Sequence, residues 1–181
     1  MSMISLLASL PPLEFEVTPQ MSLEEILESC QTSLEDQELN RLNAWLAPEH
    51  RPLGQLSGKW RDYRRSLNHE LAQARAKRLR RGNEGISLEQ FPLAPIMDLE
   101  EILQAANPLK SQTNYFFLLW SEAAHLEALA DWNLEKLGLY CIRLAMADKM
   151  SRYQQKEGEA RLNDWLEHTL QPDSLELAWR A

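Results

Sequence analysis

Hydrophobic residues crowd one stretch of this chain more densely than any other. Between Leu134 and Tyr153, residues Leu137, Leu139, Tyr140, Cys141, Ile142, Leu144, Ala145, Met146 and Met150 cover almost the whole circumference of a helix. A helix that is apolar nearly all round belongs in the middle of a fold, so the pattern predicts a centrally buried helix over about 134–155. Asp131 and Asn133 supply the break and the cap ahead of it. The preceding run, Leu109 to Leu129, is also broadly apolar. It opens on Asn107-Pro108, a cap residue followed by proline at the first helical position, where no N–H is needed.

A third pattern is a stripe. Trp60, Tyr63, Leu67, Leu71 and Ala74 recur at three- and four-residue spacing, which puts them on one face of a helix over 57–81. Gly82 stops it. Towards the N-terminus, Ser22 and Glu25 form a capping box that starts a helix from Leu23 to Cys30. Ser33 is expected to cap the next, which presents Leu34, Leu39, Leu42, Trp45 and Leu46 before Pro48 ends it. Met3 to Leu10 is apolar and halts at Pro11-Pro12, which reads as a short extended or single-turn segment. Asp98 caps a short helix through Ala106, and Leu162, Trp165, Leu166 and Leu170 make a last amphipathic piece.

The elements add up to an all-α, irregular helical bundle in a single domain, 1–181. Its parts are acidic N-terminal helices (22–47), a basic helix (57–81) and a C-terminal helical core (98–171). Composition agrees: 44% hydrophobic, 25% charged and 6 glycines in 181 residues is globular and poor in turn formers. No run is long enough and free enough of charge to span a bilayer. The N-terminal apolar run lacks the basic start of a signal peptide. The expected location is cytoplasmic, peripheral to the inner membrane only through a partner. Cys30 and Cys141 stand far apart without metal-type spacing and read as reduced thiols.

Charge changes the picture most at the striped helix. From Lys59 to Arg81 there are nine basic and two acidic residues, a net of +7, in a chain whose net charge is -8. The remainder therefore carries -15, and the first 40 residues hold eight carboxylates and no Lys or Arg. Three destinations fit the arginines. They can pair with the acidic N-terminal helices, and Arg64, Arg75 and Arg78 are the expected structural ion pairs. They can meet an acidic partner protein, for which the outer Arg61, Arg65 and Arg80 are placed. They can neutralise nucleic-acid phosphates, which a surrounding charge of -15 opposes.

Of the 6 tryptophans, Trp60, Trp120 and Trp132 are expected in or near the core. Trp45, Trp165 and Trp179, near element ends, are the candidates for a partner surface, with ordinary half-buried anchors the favoured alternative. Glu122-Ala-Ala-His125 matches one Glu-x-x-His half of a bundle metal site, but such sites use two of these pairs plus two further glutamates. A metal-binding bundle enzyme is the alternative it supports. His50, His69 and His168 form no ligand set, and no phosphate loop or nucleophile elbow is present. The expectation is a chain with no catalytic residues, no cofactor and no bound metal.

Three stretches together resemble a bacterial family of helical proteins encoded alongside V-type (A/V-type) ATPase subunits. They are Leu7-Ala-Ser-Leu-Pro11, the helix Trp60-x-x-Tyr63-x-x-x-Leu67-x-x-x-Leu71-Ala72-x-x-Arg75-Ala76, and Leu139-Tyr140-Cys-Ile-Arg-Leu144 running on to Gly158. Where the family tends to have an Arg-Asn pair, this chain has Asn68-His69. The resemblance implies a non-catalytic structural, coupling or assembly protein that contacts V-type ATPase subunits on the stalk or membrane-ring side. It also implies a distant similarity to the helical C-type (d-type) central-stalk subunit. Neither nucleic acid nor direct membrane insertion is expected.

Overall fold

The computed structural model describes residues 3–78, 102 and 107–152. Six helices build it: α1 (Met3–Ser9), α2 (Leu23–Ser33), α3 (Asp36–Leu46), α4 (Gln55–Arg78), α5 (Pro108–Leu129) and α6 (Leu134–Ser151). There is no strand among the described residues, and the protein is all-α. The short helix expected after Asp98 and the amphipathic piece around Leu162 lie outside the described residues.

The central helix is where the hydrophobic pattern put it. Twelve of the 18 residues of α6 are buried, and α2, α3, α4 and α5 all pack against it. Such a helix leaves few sites for solvation, so its one internal arginine has to be satisfied by protein. Arg143 donates to Glu127 of α5 at 2.8 Å and to the Leu13 carbonyl at 3.3 Å, with its guanidinium 4.2 Å from the Trp120 ring centroid. The pair is largely shielded from water, with side chains 12% and 15% exposed. Nearby, Tyr140 donates its hydroxyl to the Pro11 carbonyl at 2.8 Å. Two side chains of α6 thus hold the extended segment that follows α1. Burial pushes the Tyr140 hydroxyl up to about 12.

The caps follow the sequence closely. Asn107 accepts from the Lys110 amide at 2.7 Å with Pro108 opening α5. Asn133 accepts from the amides of Glu135 and Lys136 at the start of α6. Ser22 and Glu25 close the expected box on α2. At the far end of α5, Lys136 places its ammonium on the carbonyls of Glu127 and Ala130 at 3.1 and 3.3 Å. That is the favourable position for a cation at a helix C-terminus.

Three local expectations are corrected. Met3–Ser9 forms a helix of 7 residues rather than an extended or single-turn segment, because Leu6 and Leu7 are buried side by side only on a helical face. Ser33 is the last residue of α2, and Glu35 caps α3, its N–H donating to the Glu38 carboxylate at 3.4 Å. α4 begins at Gln55, two residues before Ser57. The reason is a carboxylate from another helix: Glu135 accepts from the Ser57 N–H at 2.7 Å and from its hydroxyl at 2.9 Å. A single acidic side chain in the first turn of α6 therefore also caps α4.

Candidate functional site

The site forms where α3 turns into α4. After α3, His50 adopts a positive φ of 46°, a left-handed conformation uncommon outside glycine. The turn brings the imidazole between two indoles, with ring centroids 5.5 Å from Trp45 and 5.6 Å from Trp60. Trp45 and Trp60 meet edge to face at 5.6 Å. Each indole N–H is satisfied at depth: Trp45 donates to the Gly138 carbonyl at 2.9 Å and Trp60 to that of Leu119 at 3.0 Å. His50 Nδ1 lies 2.8 Å from the Trp45 carbonyl, so it carries the proton and Nε2 is left as an acceptor. Burial lowers the imidazole from its ordinary value, outweighing the opposing pull of its hydrogen bond to the Trp45 carbonyl, and the charge of Arg64 adds to the lowering. The ring is neutral near pH 7.

Beside this aromatic group opens a cleft of about 480 Å³, floored by Trp60, Phe116, Leu119, Ile142 and Met146, with His50, Arg64 and Lys149 among its polar boundaries. Both cations lean on aromatic walls. The Arg64 guanidinium is 5.9 Å from the Trp60 ring centroid and the Lys149 ammonium 5.0 Å from that of Phe116. Among the described residues neither has a carboxylate within ion-pair distance. Asp148, next to Lys149, is engaged by Arg152 at 2.7 Å.

The expected ion pairs between α4 and the acidic helices do not form among the described residues. Arg64 rests on Trp60, and Arg75 is exposed beside the groove lined by Asn68 and Tyr115. The cause is packing. The principal neighbours of α4 are α5 and α6, whereas α2 and α3 are placed against α6. Arg61 is half-buried and pairs with Asp62 of its own helix at 3.1 Å, while Arg65 is exposed. The Arg78 side chain, Arg80, Trp165 and Trp179 lie outside the described residues.

Two tryptophan expectations exchange places. Trp45 is completely buried, which removes it from any partner surface, because the face of α3 it occupies is the one that meets α6. Trp132 is 54% exposed. It falls in the short break between α5 and α6, where the Lys136 ammonium lies 5.5 Å from its ring centroid. Glu122 is half-buried and His125 exposed. Among the described residues no three His, Cys, Asp or Glu side chains converge as metal ligands would.

His50 and Lys149 escaped the sequence reading. His50 stood out only as one of three histidines that form no ligand set, and no spacing announces a turn that folds back between two distant indoles. Lys149 did leave a signal, a lone cation three residues after Met146 at the end of a buried stripe. No protein-family model, curated protein or solved structure matches the chain.

Proposed function

We propose that this chain is a non-catalytic coupling or assembly protein of a V-type ATPase and acts through protein–protein contacts. The observation that carries the reading is the unneutralised cation face of α4 and its neighbour α6. Arg64, Arg65, Arg75 and Lys149 have no carboxylate partner among the described residues, in a chain with a net charge of -8. Cations kept apart from abundant acids of the same chain serve an acidic surface on another molecule, where they set orientation and association rate.

Family resemblance supplies the identity of that molecule. Two of the stretches that carry the resemblance touch, since Tyr140 bonds the Pro11 carbonyl. The third contributes the buried Trp60, Leu67 and Leu71. Among the described residues no helix is long and apolar enough to cross a membrane, so contact with the membrane ring would run through the complex. Affinity purification of the tagged full chain from its native cell at mild salt tests the proposal. Co-recovery of ATPase subunits is expected, and their absence would overturn it.

A further inference from the structure

The cleft between Arg64 and Lys149 has the chemistry of a receptor for one kind of partner segment. We infer that it takes an amphipathic acidic helix, whose apolar side chains seat on the half-buried Leu46, Tyr115 and Phe116 while carboxylates on either flank reach Arg64 and Lys149. This inference deepens the protein-contact reading above and rests on it for the partner's identity, but not for the chemistry of the cleft.

Four features lead to that occupant. The floor is apolar and already buried, and the half-buried walls Leu23, Leu46, Tyr115 and Phe116 supply the apolar surface that an inserted helix face would take out of water. The two cations come from different helices, α4 and α6. A single-headed amphiphile presents one anion at one end, whereas a helix presents carboxylates on both sides of an apolar stripe. Each cation is held on an aromatic ring and, among the described residues, is uncompensated by any carboxylate. A bound carboxylate would therefore displace no internal pair. Finally, the chain is acidic overall, so an acidic segment is repelled from most of the surface and directed to this spot. The neutral His50 adds no competing charge and offers Nε2 to a donor on the incoming segment.

The test uses the folded full chain and two synthetic helical peptides with the same Leu/Phe stripe, one flanked by Glu and the other by Lys. Calorimetric titration should show binding of the Glu peptide only. The double variant Arg64→Glu with Lys149→Glu should weaken it by about tenfold or more. The milder Arg64→Gln with Lys149→Gln, checked by circular dichroism and melting, guards against a folding defect. Equal binding of both peptides, no binding of the Glu peptide, or an unchanged affinity in folded variants would overturn the inference. So would dodecanoate binding in place of the peptide, or a dimer of this chain that the double variant dissociates. Affinity purification separates this inference from the ATPase reading. Double-variant protein that recovers ATPase subunits as well as wild type sinks the cleft and spares the complex. Charge-dependent peptide binding by a wild-type chain that recovers no subunits does the reverse.

Discussion

His50 combines a rare backbone conformation, a depressed protonation equilibrium and two tryptophan contacts, and these have one measurable consequence. Its folded-state pKa is lowered, so the folded protein favours the neutral ring. The stability this contributes is complete above the ordinary histidine range and is lost as pH falls below it. Substitution His50→Asn keeps a residue that tolerates positive φ and removes the titrating ring. Melting temperatures of the two proteins should converge as pH is lowered from 7.5 to 5.5, and a constant difference would contradict the assignment. Gly138 offers a second residue-scale test in which two effects oppose. Alanine favours helix interiors over glycine by about 1 kcal/mol. A Cβ at Gly138, however, would collide with Leu53 and stand 2.9 Å from Trp45 Cδ1. Overpacking dominates in a tight core, so Gly138→Ala should destabilise by about 1–3 kcal/mol in urea titrations. The cysteines are guarded as well. Burial raises Cys30 to about 11 and raises Cys141 further, and both thiols are free. Neither should react with a thiol reagent at pH 8 until the protein is unfolded.

At the scale of elements, α6 organises the fold and carries its most sensitive polar pair. Removing the charge from one partner alone, as in Glu127→Gln, leaves Arg143 shielded beneath Trp120 without its anion. A loss of about 3 kcal/mol is expected, together with faster proteolysis of the segment around Leu13 that Arg143 holds. The helices themselves were largely legible in the sequence. Asn107-Pro108, Asn133 and the Ser22–Glu25 box are local signals, written within four residues, and each cap forms as read. What the sequence hid was the tertiary choice. No local signal marks Glu135, yet it caps α4 across a separation of 78 residues. Trp45 looked like an end-of-helix aromatic, yet the face of α3 that carries it turns inward to Gly138. The acidic helices and the basic helix looked complementary. Net charge does not decide which faces meet when apolar stripes direct α4 to α5 and α6.

At the scale of the molecule, charge is segregated rather than cancelled. The first 40 residues hold carboxylates and no Lys or Arg, while one cation from α4, Arg64, and one from α6, Lys149, stand at the rim of an apolar cleft. Long-range attraction between such a patch and an acidic partner is screened over about 8 Å at physiological salt. Association should accordingly slow steeply as salt rises, while the apolar seat keeps dissociation nearly constant. Cross-linking mass spectrometry on the full chain in its native cell tests the proposed ATPase association most directly. Lysine-to-carboxylate cross-links from Lys149 and Lys59, which flank the cleft and the exposed side of α4, are expected to land on acidic helical segments of V-type ATPase subunits. A set of cross-links in which these two lysines reach no ATPase subunit would contradict it.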